Sequence, residues 1–293
     1  MLLPTFLEFN RGLRASRNVT RPSRSLKKFG IQGVELTKRI INLLSGFESE
    51  DRKRVPEDWR SRIEPSSESV YTGIGTDSKS ERSRALRGLY VIIDLERMRG
   101  RDPKEVAKAA LRGGASTLQL RGKIADDGII LKLARHLGDL CQTFGAMLVI
   151  NDNAAIARLS SADGLHVGQA DLPIKEARKI LSSEQIVGSS NATVKEALES
   201  ELQSADYVAV GAIYPTDTKL NTRPAGLETL SQIKRLVRVP IVAIGGIKPE
   251  NAAAVLNAGA DAICVTTAVT EADDPEAAAR QLVQLTAKGR SVA

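Results

Sequence analysis

Short apolar runs alternate with longer amphipathic stretches along the chain from Gly88 onward. Eight of these runs have the length of a buried strand: residues 89–94, 117–121, 147–152, 164–168, 186–190, 207–212, 241–245 and 262–266. Between them, apolar positions recur at helical spacing, as in residues 103–111, 129–144 and 252–258. Eight strand–helix units within about 200 residues predict a (β/α)8 TIM barrel. A doubly wound open sheet is the alternative, but no G-x-G-x-x-G motif follows the first run, which weakens a dinucleotide-binding version.

The chain before Gly88 has a different pattern, because it is polar, basic and poorly periodic. Apolar residues from Leu36 to Leu44 predict one helix face across roughly residues 34–45. Residues 48–83 are rich in Ser, Glu and Arg and contain prolines, which is typical of a loop or linker. We therefore expect a small segment here that is mainly helical or partly disordered.

The charge divides the chain at the same place. The protein has 42 Lys and Arg residues against 35 Asp and Glu residues, a net charge of +7. Residues 1–87 carry 18 basic and 11 acidic residues, and residues 88–293 carry 24 of each. We predict a basic N-terminal extension and linker over residues 1–87 and a catalytic barrel over residues 88–293. Any argument for polyanion binding must therefore rest on the extension. Nucleic acid is not an expected partner, and a contact in a homo-oligomer is the role considered for the extension.

Composition excludes several classes of protein. The longest apolar runs are far shorter than the roughly 20 residues of a membrane-spanning helix, so no membrane partner is predicted. Two cysteines and two histidines leave no disulfide scaffold, Cys-based zinc site or His-rich metal cluster. A bound metal would therefore be held by carboxylates, which favours Mg²⁺. The N-terminus lacks the long apolar core of a signal peptide, which predicts a cytoplasmic protein, and the Arg- and Ser-rich stretch 10–28 keeps organelle import as the alternative.

Chemistry in such a barrel is built at the C-terminal ends of the strands, so the polar residues there are candidates for the site. Alternation along the second strand puts Gln119, Arg121 and Lys123 on one side. A buried cation needs an anionic partner, which predicts a bound phosphate, and an ion pair in the barrel wall is the alternative.

Two carboxylates follow the third and fourth strands. Asp152 and Asp171 could share one Mg²⁺, which takes its remaining ligands from water and phosphate. Each could instead be a helix N-cap, Asp152 for a helix that begins near Ala154 and Asp171 before Pro173. His166 lies inside an apolar strand, where we interpret it as a hydrogen-bonded residue of the wall.

The later strands end in small polar residues and glycines. Ser190 follows the fifth strand as a phosphate ligand or a cap, and a polar loop containing Thr216, Thr218 and Lys219 follows the sixth as an anion clamp or a solvated turn. Gly246 follows the seventh strand, and Thr266 and Thr267 end the eighth. Barrels often bind phosphate through backbone N–H groups at these last two loops.

Taken together, these residues resemble the thiamine-phosphate synthase family. The matching segments occur in order, one at each strand end: Gln119-x-Arg121-x-Lys123, Asn151-Asp152, His166-x-Gly168-Gln169-x-Asp171, Gly188-x-Ser190, Tyr214-Pro215-Thr216-x-Thr218-Lys219 and Gly245-Gly246. The resemblance implies a transferase that joins 4-amino-2-methyl-5-hydroxymethylpyrimidine diphosphate to 4-methyl-5-(2-phosphoethyl)thiazole. It also implies thiamine phosphate and pyrophosphate as products and a requirement for Mg²⁺.

The resemblance implies a role for each matching residue. Asp152 and Asp171 hold the metal, and Gln119 faces the pyrimidine. The leaving pyrophosphate is bound by Arg121, Lys123, Asn151, Ser190 and Lys219. The thiazole phosphate is bound by Thr216, Thr218, Gly246, Thr266 and Thr267. The sequence departs from the family pattern at Gly122, Asn153 and Ala170, where acidic residues are common.

Two other functions are considered. A thiazole tautomerase is built on the same barrel and carries a His just after the Ser of the fifth strand, whereas this chain has Asn191 and Ala192 there. A regulatory protein that binds thiamine precursors without catalysis, and whose basic segment contacts a partner or nucleic acid, is the other alternative. The pair of Asp152 and Asp171 and the cations count against it.

Overall fold

The structure, a computed structural model, describes residues 78–216 and 223–288. The helix predicted over residues 34–45 and most of the predicted linker lie outside the described residues. The described part of the chain alternates regularly between strand and helix, as the hydrophobic pattern predicts.

Eight parallel strands form a closed barrel in which each strand pairs with the next one and β8 pairs with β1. The strands are β1 (Gly88–Asp94), β2 (Thr117–Arg121), β3 (Met147–Asn151), β4 (Gly164–Val167), β5 (Ile186–Asn191), β6 (Tyr207–Val210), β7 (Ile241–Ile244) and β8 (Ala262–Val265). The (β/α)8 barrel is therefore confirmed and the open sheet is wrong. Residues 211 and 212, predicted at the end of the sixth strand, lie beyond β6 in the following loop.

Helices follow the strands around the barrel. They are α1 (Ser78–Ala85), α2 (Pro103–Arg112), α3 (Asp127–Phe144), α4 (Ala154–Leu159), α5 (Ile174–Ile180), α6 (Val194–Leu202), α7 (Gly226–Leu236), α8 (Pro249–Asn257), α9 (Thr267–Thr270) and α10 (Pro275–Lys288), with a short 3₁₀ helix over Leu95–Arg97. The Asp102 side chain caps the start of α2, and Gly145, with a φ of 66°, ends α3 in the left-handed conformation. Over the described residues, no helix is both long and apolar enough to cross a membrane.

The barrel interior is filled by side chains from alternate positions of the strands. Tyr90, Ile92, Val149, Tyr207 and Val242 belong to this core and are almost fully buried. Two of these five are tyrosines, so the core carries hydroxyl groups that need hydrogen-bond partners inside the barrel.

Helix α1 contacts the base of the barrel, opposite the C-terminal strand ends. Ser83 Oγ donates a hydrogen bond to the Asp206 carbonyl oxygen at 2.6 Å, just before β6. Arg82 pairs with Asp163, just before β4, at 3.6 Å. Leu86, in the link from α1 to β1, is fully buried in the core. Arg82, Ser83 and Leu86 precede the predicted start of the barrel at residue 88, and all three contact residues of the barrel.

Candidate active site

A cavity of about 870 Å³ opens at the C-terminal ends of the strands. The residues predicted for the site that line it are Gln119, Arg121, Lys123, Asn151, Asp152, Asp171, Ser190, Thr216, Gly246, Thr266 and Thr267. The remaining two, Thr218 and Lys219, lie within 217–222, outside the described residues. Positions predicted from the strand ends thus converge on one cavity, and the roles assigned to them stay predictions.

The carboxylates of Asp152 and Asp171 both lie near the Lys123 ammonium group. Lys123 Nζ is 2.6 Å from Asp152 Oδ2 and 4.0 Å from Asp171 Oδ1. Burial raises the pKa of the Asp152 carboxyl, and the neighbouring Asp171 adds to the rise, while Lys123 opposes it. The hydrogen bond to Asp152 in turn raises the pKa of Lys123. Two carboxylates thus lie within 4.0 Å of one ammonium group at the cavity mouth.

Neither carboxylate is a helix cap. The N-cap of α4 is Asn153, whose Oδ1 accepts the Ile156 N–H at 3.0 Å. The N-cap position of α5 is Pro173, which has no side chain that can cap. The N-cap interpretation of Asp152 and Asp171 is therefore wrong, and both residues line the cavity.

Strand β4 and the glycine after it bond to the backbone of Asp152 and to the carboxylate of Asp171. Asp152 has a φ of 60°, and its N–H donates to the His166 carbonyl oxygen at 2.8 Å. Asp171 Oδ2 accepts the Gly168 N–H at 2.8 Å. A Cβ at Gly168 would lie 2.7 Å from that same oxygen, so a glycine leaves the space that the Asp171 carboxylate occupies. A left-handed backbone at an aspartate is uncommon and is often found at functional sites.

The donor set at this end of the cavity fits a hard divalent cation. Within residues 78–216 and 223–288, no three His, Cys, Asp or Glu side chains form a metal-binding group. Mg²⁺ does not need three, because it usually keeps several waters and binds through one or two carboxylates together with substrate phosphates. Asp152 and Asp171 supply those two carboxylates.

Arg121 is held by two acidic residues that the sequence analysis did not single out. Its NH1 atom lies 2.6 Å from Asp94 Oδ2 and 3.0 Å from Glu96 Oε2. Glu96 Oε1 also accepts the backbone N–H of Lys123 at 2.8 Å. Burial raises the pKa of Asp94, whereas the hydrogen bonds outweigh burial at Glu96 and lower its pKa. Arg121 thus forms the ion pair that was the alternative to a bound phosphate, it also lines the cavity, and the phosphate stays a prediction.

Five polar side chains form a hydrogen-bonded chain across the barrel interior. Gln119 Nε2 donates to Tyr90 Oη at 2.7 Å, and Tyr90 Oη lies 3.3 Å from Tyr207 Oη. Tyr207 Oη lies 3.0 Å from His166 Nδ1, and His166 Nε2 lies 2.9 Å from Ser190 Oγ. His166 is a hydrogen-bonded residue of the wall, as predicted. Burial raises the pKa of both tyrosines, so their hydroxyls stay protonated.

The loops after β6 and β7 pack closely at the opposite side of the cavity. Gly245 and Gly246 have φ angles of 103° and 63°. A Cβ at Gly246 would lie 2.6 Å from the Pro215 carbonyl oxygen, so only glycine allows this approach. The Tyr214 N–H donates to the Gly245 carbonyl oxygen at 3.0 Å. The glycine pair therefore holds the loop that carries Thr216 against the end of β7.

Further cations at the cavity rim were also missed from the sequence. They are Arg97, Arg99, Arg223 and Lys248. Arg223 is paired with Glu196, with its NH1 atom 2.6 Å from Oε1 and its NH2 atom 3.0 Å from Oε2. Glu196 Oε2 also accepts the Ala192 N–H at 2.8 Å. This pair joins the start of α6 to the chain just after residue 222.

Comparison with known proteins agrees with this geometry. Residues 89–269 match the family model described as thiamine monophosphate synthase. The chain is 44% identical to the thiamine-phosphate synthase of Moorella thermoacetica over 203 residues, which are 69% of this chain and 97% of that protein. It is 42% identical to the thiamine-phosphate synthase of Methanocella arvoryzae, over 66% of this chain and 92% of that protein. A solved thiamine phosphate pyrophosphorylase from Pyrococcus furiosus superposes with a TM-score of 0.66 at 35% identity, covering 70% of this chain and 98% of that one.

Proposed function

Because the chain belongs to the thiamine monophosphate synthase family, we propose that it joins the pyrimidine diphosphate to the thiazole phosphate and releases thiamine phosphate and pyrophosphate. The observation that carries the proposal is the position of Arg121 and Lys123 beside Asp152 and Asp171 at one cavity mouth. Cations and metal-binding carboxylates at one place suit a reaction whose leaving group is a diphosphate.

The reaction needs no protein nucleophile. The aminopyrimidine stabilises a positive charge on its methylene carbon, so the bond from that carbon to the diphosphate oxygen can break first. The electron pair of the bond leaves with pyrophosphate. The thiazole nitrogen then donates its lone pair to the methylene carbon and forms the new C–N bond. Such a step depends on neutralising the leaving group and on aligning the nitrogen.

The residues of the cavity mouth supply that neutralisation. Arg121 and Lys123 bind the pyrophosphate oxygens, and Asn151 and Ser190 donate hydrogen bonds to them. Asp94 and Glu96 hold the Arg121 guanidinium in place before substrate arrives, so little reorganisation is needed during the reaction. Asp152 and Asp171 would hold Mg²⁺, which supplies further positive charge to the diphosphate when it is bound.

The other side of the cavity positions the second substrate. Gln119 faces the pyrimidine ring, and Thr216, Gly246, Thr266 and Thr267 bind the thiazole phosphate. The family resemblance implies that Thr218 also binds the thiazole phosphate and that Lys219 also binds the pyrophosphate. Holding the thiazole phosphate at the β7 and β8 loops would fix the thiazole in the cavity, which supplies the proximity that the attack on the methylene carbon needs.

The proposal is tested by measuring pyrophosphate release from the full-length protein with both precursors and Mg²⁺, and again with each precursor omitted in turn. Release that requires both precursors is the expected result. Isomerisation of the thiazole without pyrophosphate release would instead identify a tautomerase. Binding of the precursors without any turnover would identify a regulatory protein.

A further inference from the structure

Gln119, Tyr90, Tyr207, His166 and Ser190 form the polar chain described above, which we call the Gln119–Ser190 chain. We propose that its hydrogen bonds all run in one direction, from Gln119 to Ser190, and that this direction leaves the Ser190 hydroxyl proton for an anion in the cavity. Tyr90, Tyr207 and His166 are then positioning residues that act through Ser190.

The direction follows from counting donors and acceptors. Gln119 donates through Nε2, so Tyr90 Oη accepts there and has its own proton left to donate to Tyr207. Tyr207 can then donate its proton only onward, to His166 Nδ1, which must carry a lone pair. A neutral imidazole with a lone pair on Nδ1 has its proton on Nε2. His166 therefore donates to Ser190 Oγ.

Because these side chains are buried, each of their hydrogen-bond donors and acceptors needs a partner within the protein. Gln119 is 3% exposed, Tyr90 2% and Tyr207 0%. An unpaired donor or acceptor at such a position is costly, because water cannot replace the missing partner. Each link in the chain must therefore match a donor to an acceptor, and the orientation of the Gln119 amide decides the orientation of every other link.

The positions of the rings are fixed by packing. The Tyr207 and His166 rings stack with centroids 5.7 Å apart. A Cβ at Gly188 would lie 1.9 Å from Tyr207 Cζ, so the tyrosine ring fills the space above that glycine. The glycine two residues before Ser190 thus makes room for the ring that orients Ser190 through His166.

The direction of these hydrogen bonds determines whether the Ser190 hydroxyl can donate a proton into the cavity. Among the described residues, the partner of Ser190 Oγ is His166 Nε2. With that bond accepted, the serine proton can be donated to an anion, and Ser190 lines the cavity. The assignment of that anion as the leaving pyrophosphate rests on the proposed function, whereas the direction of the hydrogen bonds does not. The opposite direction would make Ser190 donate to His166 and leave only lone pairs toward the cavity, which would repel an anion.

The direction can be read from the tautomer of His166 by ¹⁵N–¹H NMR of labelled full-length protein at about pH 8, where an ordinary imidazole is neutral. The protein has two histidines, so the signals that are lost in a His136→Gln variant are those of His136. His136 is exposed on α3, which makes this substitution a mild one. We expect His166 to be protonated on Nε2, and we expect Tyr207→Phe to shift its Nδ1 signal. Protonation on Nδ1 would overturn the inference. If His166 is protonated on Nε2 in a protein that has no synthase activity, only the proposed function is contradicted.

A double-mutant cycle tests whether the chain acts through Ser190. Tyr207→Phe should lower kcat by about tenfold, the effect of one misdirected hydrogen bond, with a smaller change in KM. In a Ser190→Ala background the same substitution should cost little more. Tyr90→Phe is the second variant and should behave in the same way. Equal losses with and without Ser190 would mean that the tyrosines have a merely structural role.

Discussion

Lys123 Nζ lies 2.6 Å from Asp152 Oδ2, so a lysine at the end of β2 contacts one of the two carboxylates proposed to hold Mg²⁺. Lys123 and a divalent cation are therefore attracted to the same charge. When the diphosphate and Mg²⁺ enter, we expect Lys123 to exchange its carboxylate partner for phosphate oxygens. This exchange would couple metal binding to substrate binding at one end of the cavity.

Replacement of either carboxylate should disable the site. Asp152→Asn and Asp171→Asn should each lower kcat/KM by about 100-fold or more, because a bound metal contributes several kcal/mol of charge stabilisation. They should also weaken the dependence of the rate on Mg²⁺. Asp139→Asn, on the exposed side of α3, is the matched control and should keep wild-type values. Wild-type turnover and Mg²⁺ response in both site variants would remove the metal assignment.

Arg121→Ala should cost about 2–4 kcal/mol of transition-state stabilisation, mainly in kcat, because the charge on the leaving group grows toward the transition state. The same substitution leaves Asp94 buried with its ion-pair partner removed, which should lower the free energy of unfolding by about 1–3 kcal/mol. Lys219→Ala should show the kinetic loss. Steady-state kinetics and thermal unfolding measure the two effects separately.

Adding Asp94→Asn to Arg121→Ala provides the control for that experiment. The second substitution removes the unpaired charge, so stability should recover while kcat stays low. Full recovery of kcat would mean that Arg121→Ala acts only through a damaged fold. An effect confined to KM would mean that Arg121 binds only the ground-state diphosphate.

The Glu196–Arg223 pair predicts a pH-dependent part of stability. Burial alone would raise the pKa of Glu196, but its bonds to Arg223 and to the Ala192 N–H outweigh burial and lower it. A carboxyl whose pKa is lower in the folded state stabilises the fold above its unfolded pKa of about 4.3 and loses that contribution as the pH falls through the folded value. The difference in melting temperature between wild type and Glu196→Gln should therefore be clear at pH 7 and shrink below about pH 4. A difference that stays constant with pH would contradict the ion-pair explanation.

The residues before α1 should be dispensable for chemistry, whereas removal of α1 itself should destabilise the barrel. Every described residue to which a role in the site is assigned lies between Tyr90 and Thr267, and the cavity lining begins at Tyr90. A chain that begins at Ser78 should therefore fold and form thiamine phosphate. A chain that begins at Gly88 loses Leu86 from the core, which should cost about 1.5–3 kcal/mol, and loses the Ser83 bond to Asp206.

Melting temperature, light scattering and product formation compare the two truncated proteins. Soluble but inactive protein starting at Ser78 would mean that the extension contributes to the site. Equal stability of the two would mean that α1 adds nothing to the barrel.

The barrel and the site positions at strand ends could be predicted because both depend on local patterns. Eight buried runs separated by helical spacing leave few architectures, and a parallel barrel brings all strand ends to one mouth. Asp152 and Asp171 were therefore expected at the cavity. The sequence could not exclude the helix-cap interpretation of Asp152, because its exclusion depends on Asn153 taking the cap of α4.

The buried tyrosines could not be predicted, because an aromatic residue in an apolar strand has the same pattern whether or not its hydroxyl has a role. Tyr90 and Tyr207 are far apart in sequence, and only barrel closure brings their hydroxyls within 3.3 Å. Asp94 and Glu96 could have been found, since Asp94 ends the first predicted strand at the mouth, where polar residues are candidates. The position of Asp94 at that strand end indicates a partner for Arg121 at the end of the neighbouring strand.

We propose that this cavity joins two precursors with loss of pyrophosphate. The most direct test is a ³¹P NMR time course of one sample that contains the full-length protein, both precursors and Mg²⁺. We expect the diphosphate signals of the pyrimidine to disappear while pyrophosphate and thiamine phosphate appear in equal amounts, and we expect Arg121→Ala to slow all three changes together. A pyrimidine diphosphate signal that persists while the thiazole phosphate changes, or spectra that do not change at all, would contradict it.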